Sequence, residues 1–443
     1  MYPERVSLLR RLSRFPPPRA MGTAPAARSP TPRVSLDQLR AHMDLILARR
    51  PPSEPIADAA WPELPFVTEP TNAGDLHVRS LRMDGHRVGH APVCLARIAS
   101  AALLSLLALD PSLARCDPDG ALYLDTETTG LAGGTGTVAF LVGLAWFERG
   151  ALVLEQLLVK NLGEEAPMLA RVAERVAAST LLVTFNGKSF DLPLLRTRFV
   201  MARMRGPVEP PHLDLLHLAR RVHAGRKRRS FCLTALEREV LGFEREGDVP
   251  SGDVAAHYLH FLRTGDTTAL LSVVEHNAWD VATMAALVGL YGEPLEGSRL
   301  VPADLVGVAR TLRRAGDVDL AYDTADRAVR AGAGPESVRA RGEIANARGD
   351  KARALADFEA YVAGVDDASA RLELAKLYEH HVKDPERALA LVDRGTGETE
   401  AALGRRRARL DRKAERRRAL ACGSRAEPGA DVESSLFDVR AKS

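Results

Sequence analysis

ALYLDTETTG, residues 121–130, decides the fold of this 443-residue chain. It follows the turn sequence Asp117-Pro118-Asp119-Gly120 and predicts a strand in which Asp125 and Glu127 are two residues apart. Residues at this spacing project from one face of a strand, roughly 6 to 7 Å apart. Two acids so placed can share a metal site, although a solvated strand face produces the same pattern.

From residue 121 to about residue 290, strand-like and helix-like segments alternate, which is typical of an α/β layer fold. Short turns with glycine between the first three predicted strands suit antiparallel neighbours. The predicted strands are 121–127, 138–147, 151–159 and 181–185. The predicted helices are 165–178, 192–204, 213–222, 233–241 and 268–290, the last of them apolar on most faces and therefore buried.

Two further segments contribute acids to the same region. In FNGKSFD, residues 185–191, Asn-Gly predicts a sharp turn and Asp191 opens a helix, either as its N-cap or as a site residue. In EHNAWD, residues 275–280, His276 and Asp280 share one helix face. A buried Asp requires a partner or a metal, so an arginine or a capped backbone group could also explain Asp280.

Together these segments resemble the DEDD exonucleases of the ribonuclease H-like fold. LYLDTETTGLAGGTGTVAFLVG, FNGKSFDLPLL, HLDLLHLARR and EHNAWDV are more closely similar to the YprB-type ribonuclease H-like family, over residues 119 to about 292. The resemblance implies an α/β ribonuclease H-like fold, with a mixed sheet flanked by helices. It also implies a metal-dependent 3′–5′ exonuclease that hydrolyses phosphodiester bonds of DNA or RNA and releases nucleoside monophosphates.

The resemblance also implies the roles of five residues. Asp125, Glu127 and Asp280 would hold the catalytic ions, Asp191 would complete the metal site, and His276 would deprotonate the attacking water. Crowded carboxylates repel unless protons or divalent cations neutralise them, and hard oxygen ligands favour Mg²⁺ or Mn²⁺ over zinc. Two such ions can activate water and stabilise the leaving oxygen. Three residues separate His276 from Asp280, as in tyrosine-type members of the superfamily, so His276 does not superpose on the base of histidine-type members.

Basic and polar residues near these acids are candidates for contacts with a single-stranded nucleic-acid end. Asn186 and Lys188 flank the turn before Asp191 and could position the strand. A basic cluster from Arg220 to Arg229 suits phosphate binding, with Arg226 and Arg228 as the predicted contacts, although a solvated loop fits equally well. Asp214 is predicted to be structural.

Beyond Pro302 the sequence indicates helical repeats. Gly316-Asp317, Gly349-Asp350 and Lys383-Asp384 each precede an alanine at the same distance and recur after 33 and 34 residues. This segment resembles tetratricopeptide repeats, which would bind a protein partner, and an irregular helical bundle is the alternative. The predicted domains are a disordered basic arm (1–35), an accessory segment wrapping the core (36–118), the exonuclease domain (119–293), the repeats (300–400) and a basic tail (401–443).

Smaller predictions concern the N-terminal third of the chain. A helix is predicted at 36–50, a wrapped loop at 51–70 and a buried helix at 94–109.

Composition excludes several classes of protein. The net charge of +3 is too small to indicate a partner, and no apolar run reaches the roughly 18 residues of a membrane span. Four cysteines without a CxxC pair argue against a zinc site or disulfide framework and favour a cytosolic protein. GTGTVA, residues 134–139, precedes a predicted strand where a dinucleotide fingerprint requires a helix. The remaining alternative is a catalytically inert nucleic-acid-binding or scaffold protein that acts through its repeats.

Overall fold

A seven-stranded mixed sheet forms the centre of the computed structural model, which describes residues 61–130, 136–226 and 230–423. Its spatial order is β1-β2-β7-β6-β5-β8-β9, with parallel pairing for β5-β8 and β8-β9 and antiparallel pairing elsewhere. A separate two-stranded ribbon comprises β3 and β4. The strands are β1 Val67–Thr71, β2 Gly74–Met83, β3 Arg87–Val88, β4 Ala91–Pro92, β5 Ala121–Thr128, β6 Ala139–Glu148, β7 Ala151–Leu158, β8 Leu181–Thr184 and β9 His212–Asp214.

Turn chemistry sets the antiparallel half of the sheet. Arg149 and Gly150 join β6 to β7, and both have positive φ angles, 49° and 88°. Two central residues with positive φ make a turn whose twist matches that of a hairpin. Glu148 therefore pairs with Ala151, and the register continues back to Leu141.

Helices cover both faces of the sheet. The first seven are α1 Ala101–Ala108, α2 Ala166–Ala178, α3 Asp191–Met201, α4 Leu215–Val222, α5 Leu233–Leu236, α6 Val254–Thr264 and α7 Thr268–Tyr291. Leu122 and Leu124 of β5 pack with α2 and α3, whereas Tyr123, on the other face, packs in the cluster that contains α7. Period-two alternation in β5 therefore directs its odd-numbered residues, Asp125 and Glu127 among them, toward α7.

The predicted fold class is confirmed, with corrections at several boundaries. The loop predicted at 51–70 overlaps the edge strand β1, and β1 and β2 extend the sheet beyond the strands that the sequence predicted. The helix predicted at 94–109 is two elements, a 3₁₀ turn at Val93–Ile98 and α1, because the Ser100 side chain accepts from Leu103 N and starts a new helix. Helix α3 ends before residue 204, since Arg203 has a positive φ of 57°.

The C-terminal region is all helical. Its helices are α8 Pro302–Ala315, α9 Val318–Arg330, α10 Pro335–Arg348, α11 Lys351–Gly364, α12 Ala368–Leu377, α13 Pro385–Asp393 and α14 Glu400–Gly423. In the recurring Gly-Asp pairs, Gly316 and Gly349 have positive φ angles that end one helix, and the Asp side chain caps the next. The alanine of each unit, such as Ala321 or Ala354, is fully buried where the helices meet.

The boundary between the α/β layer and the repeats stays a prediction, because one hydrophobic cluster contains residues of both, Val222 and Val308 among them. Predictions about 1–60, 131–135, 227–229 and 424–443 lie outside the described residues. These include the basic arm, the helix at 36–50 and the end of the basic tail. No helix of the described part of the chain combines the length and apolar character that a membrane span needs.

Candidate functional site

Strand β5 and helix α7 bring four of the predicted site residues together. Asp125 and Glu127 project from β5 toward α7, where His276 and Asp280 lie one turn apart. Within the described residues, Glu127, His276 and Asp280 form a group of potential metal ligands whose donor atoms all lie within 4.8 Å of one another. We call these three residues the ligand group. The ligand group includes His276, which was predicted as a base, and does not include Asp125 or Asp191.

An amide relay orients Asp125 beside the ligand group. Asn277 Nδ2 donates to Asp125 Oδ2 at 2.9 Å, and Gln156 Nε2 donates to Asn277 Oδ1 at 3.0 Å. Gly143 of β6 pairs with Asp125 and makes room for this amide, because a Cβ atom at Gly143 would lie 2.3 Å from Asn277 Oδ1. The position of Asp125 therefore depends on three elements of the fold.

Asp191 reaches the site from the other face of the sheet. It is the first residue of α3, where no side-chain capping bond occurs, and its Oδ1 accepts from Thr126 Oγ1 at 2.6 Å. Thr126 points away from Asp125 and Glu127, as the strand alternation predicts. Asp191 nevertheless lines the same cleft as both acids, at the end of β5.

A buried arginine contacts the acids, as one alternative for Asp280 anticipated. Arg245, whose side chain is 3% exposed, forms an ion pair with Asp280. Its Nε and Nη2 also donate to the carboxylate of Glu237, at 2.8 and 2.6 Å. Glu237 is itself buried and accepts a hydrogen bond from Thr283, one turn beyond Asp280.

Asp248 orients His276. His276 Nδ1 lies 2.6 Å from Asp248 Oδ1, so Nδ1–H donates to this carboxylate. The other ring nitrogen, Nε2, faces the ligand group, 3.6 Å from Asp280 Oδ2. A carboxylate that accepts from one ring nitrogen fixes the tautomer and orientation of the ring. Such a carboxylate is found both beside histidines that bind a metal and beside histidines that transfer a proton.

Burial and mutual repulsion shift the pKa values of these groups. Burial, with the carboxylates of Asp280, Glu127 and Asp191, raises the pKa of Asp125 well above its usual range. Burial and Asp280 raise the pKa of Glu127 to about 8, and burial raises that of Asp191 to about 6. Burial lowers the pKa of His276, but the surrounding carboxylates outweigh it and the net shift is upward.

Two clefts meet at the acids. The first, about 310 Å³, contains Glu127 and Asp191 with the exposed ring of Phe190. The second, about 390 Å³, contains His276 and Asp280 with Arg220. Both clefts share Asp125, Phe185, Asn186 and Ser251. The acids therefore lie between two cavities, either of which is large enough for part of a nucleotide chain.

The predicted substrate-binding residues differ in position. Asn186, in a left-handed turn with φ of 68°, lines both clefts. Lys188 is exposed and lines neither, and its backbone N–H donates to Asp214. Asp214 also caps α4, in agreement with its predicted structural role.

The basic cluster requires a correction. The Arg226 guanidinium pairs with buried Asp304 of α8 and also donates to Glu239 O, so the ionic interactions of Arg226 are with the protein itself. Arg228 lies outside the described residues. Among the described residues of the cluster, Arg220 lines a cleft beside the acids.

The donors of the ligand group fit a divalent cation. Carboxylate oxygens and one imidazole nitrogen converge, and burial together with the neighbouring carboxylates raises the pKa values of Asp125 and Glu127. Oxygen-rich donors are characteristic of Mg²⁺ and Mn²⁺ sites.

Contributors to the site that were not predicted from the sequence include Thr126, Arg245, Asp248 and Asn277. Asn277 lies inside the EHNAWD segment, but no function was predicted for it. Arg245 and Asp248 belong to a segment without regular structure between Gly242 and Asp253, so no periodicity marks them. Their roles depend on the folding of this segment against α7.

Comparisons with known proteins agree with the fold. Residues 122–291 match the family described as RNase_H superfamily. Over 167 residues the chain is 37% identical to "Uncharacterized protein YprB" of Bacillus subtilis (strain 168), an alignment that covers 37% of this chain and 40% of that relative. The chain thus aligns with less than half of its curated relative. Residues 122–291, which place acids from β5, α3 and α7 at one end of the sheet, are therefore similar to domains of the RNase_H superfamily.

Proposed function

We propose that this protein is a metal-dependent 3′–5′ exonuclease that hydrolyses phosphodiester bonds of single-stranded DNA or RNA ends. The observation that carries the proposal is the convergence of Asp125, Glu127 and Asp280 with His276 at the junction of two clefts. Burying several carboxylates together costs folding free energy. Acids that are far apart in the sequence and nevertheless meet beside open cavities therefore indicate a functional site.

Glu127 and Asp280, the two carboxylates of the ligand group, would hold one Mg²⁺ or Mn²⁺ ion, and Asp125 and Asp191 would support the second ion that the resemblance implies. When bound, such ions supply Lewis-acid activation of a water and stabilisation of the leaving oxygen. Asn277 donates a hydrogen bond to one oxygen of Asp125, and Thr126 donates one to Asp191. These hydrogen bonds fix the orientation of both carboxylates.

The remaining residues would handle the proton and the substrate. Asp248 fixes the tautomer of His276, which leaves Nε2 free to accept a proton from the attacking water. Asn186 lies where both clefts meet and would position the strand, while Arg220 would contact a phosphate in the second cleft. Lys188, at the exposed turn, remains a proposed phosphate contact.

Purified protein incubated with 5′-labelled single-stranded DNA and RNA tests the proposal. We expect Mg²⁺- or Mn²⁺-dependent shortening from the 3′ end, with a loss of at least a thousandfold in Asp125→Ala. Asp393→Ala, which removes an exposed acid far along the repeats, is the matched control and retains full activity.

Cleavage that persists in Asp125→Ala would contradict the assigned site. Binding of nucleic acid without cleavage under any metal condition would favour the inert scaffold protein instead. The proposal includes a protein partner for the repeats and a cytosolic location, for which the free thiols of Cys94, Cys116 and Cys232 are suitable.

A further inference from the structure

Arg245 is a positive charge built into the acidic site. Its side chain is 3% exposed, and two of its nitrogens donate to Glu237, whose side chain is 1% exposed. The pair is therefore anchored, and water does not screen the guanidinium. Nη2 extends from this anchor to Asp280 Oδ1, and Nη1 donates to the backbone oxygen of His276 at 3.4 Å.

Besides Glu237, Arg245 contacts two members of the ligand group, Asp280 and His276. A carboxylate oxygen that accepts from a guanidinium has less electron density to give to a metal. A divalent ion among Glu127, His276 and Asp280 would also experience repulsion from a buried cation, because the low dielectric of the interior weakens charges little. Arg245 and a bound divalent ion would thus compete for the carboxylate of Asp280.

The segment that carries Arg245 packs against α7 through the contacts of this side chain. Arg245 lies outside helix and strand, between Gly242 and Gly247, both of which have positive φ angles. We propose that Arg245 is the resident counter-cation of the ligand group, and that it lowers the affinity of the site for divalent ions by competing for Asp280. This inference rests on the proposed function, since it concerns the ion of the same site.

Binding of Mn²⁺ to the full-length protein, measured by isothermal titration calorimetry without substrate, tests the inference. Arg245→Met alone would leave Glu237 buried without its partner, so the informative variant is Arg245→Met with Glu237→Gln. We expect this double variant to bind Mn²⁺ at least tenfold more tightly than the unchanged protein. Arg196→Met removes an equal charge from an exposed pair with Glu209 and should leave the affinity unchanged.

A conservative variant separates charge from packing. Arg245→Lys keeps the charge and should stay within about threefold of the original affinity. Thermal unfolding of each variant verifies that it is folded, and Mn²⁺ should raise the unfolding temperature most in the double variant.

Two results would overturn the inference. Equal affinity in the double variant would show that Arg245 does not compete, and weaker affinity would show that it organises Asp280 for the ion. Metal-dependent cleavage that is lost in Asp125→Ala leaves the proposed function standing in both cases. Absence of Mn²⁺ binding together with absence of cleavage would overturn both.

Discussion

Glu127 shows at the scale of one residue how the site stores electrostatic free energy. Its carboxyl is buried next to Asp280, which raises its pKa from 4.5 to about 8. A carboxyl with a raised folded-state pKa favours the protonated folded protein. Its contribution to stability is complete below the unfolded-state pKa and is lost as the pH rises through the folded-state value.

We therefore predict that the metal-free protein becomes less stable between about pH 5 and pH 8.5. In Glu127→Gln this loss should be smaller, and at pH 8.5 its unfolding temperature should exceed that of the unchanged protein by about 2 °C or more. Thermal unfolding in EDTA across this pH range, followed by circular dichroism, measures the effect. Glu174→Gln, on the exposed face of α2, is the control. Parallel stability curves for Glu127→Gln and the unchanged protein would contradict the prediction.

At the scale of elements, the site depends on how closely β6 approaches α7. Gly143 occupies the β6 position opposite Asp125, and a Cβ atom there would lie 2.3 Å from Asn277 Oδ1 and 2.9 Å from Val281 Cγ2. Neither atom belongs to a flexible, solvent-exposed chain end. An alanine would therefore force α7 away from the sheet or rotate Asn277 off Asp125.

We predict that Gly143→Ala lowers exonuclease activity at least tenfold and destabilises the fold by about 1–3 kcal/mol. Initial rates and urea denaturation measure the two effects. Gly364→Ala is the matched control, because a Cβ atom at Gly364 meets no described atom within 4 Å. Full activity in Gly143→Ala would show that the amide relay to Asp125 is dispensable.

At the scale of the whole molecule, buried polar groups join the α/β layer to the repeats. Asp304 of α8 is 1% exposed, lies 2.9 Å from His223 Nδ1 and accepts from Arg226 Nε at 2.6 Å. Gly307 of the same helix allows a close approach, since a Cβ atom there would lie 2.1 Å from Val222 O. The first repeat is thus packed as part of the core and not as a tethered module.

We predict that Asp304→Ala costs about 3–5 kcal/mol, because it removes the buried carboxylate that pairs with the half-buried Arg226 guanidinium. Urea denaturation should show the loss in one transition shared by the α/β layer and the repeats. Asp319→Ala breaks the exposed pair with Arg348 and should cost less than about 1 kcal/mol. Two separate transitions would contradict the joint core.

The sequence predicted most elements because their signals are local. Period-two alternation in β5 placed Asp125 and Glu127 on one face, and helical periodicity placed His276 next to Asp280. The Gly-Asp pairs marked helix ends and caps in the repeats. Prediction was weakest where residues lack a periodic context, as in the edge strand β1 and the segment that contains Arg245.

What the sequence alone determined is most of the elements, the fold class and the acids that face one another, because propensity, periodicity and turn chemistry act over a few residues. The tertiary structure decided the partner of each charge. Arg226 forms an ion pair with Asp304, and Arg245 forms one with Asp280 in the acidic site. Asp248 accepts a hydrogen bond from His276. Such pairings depend on distances across the fold, and a long charged side chain has many possible partners until packing brings a few of them within reach.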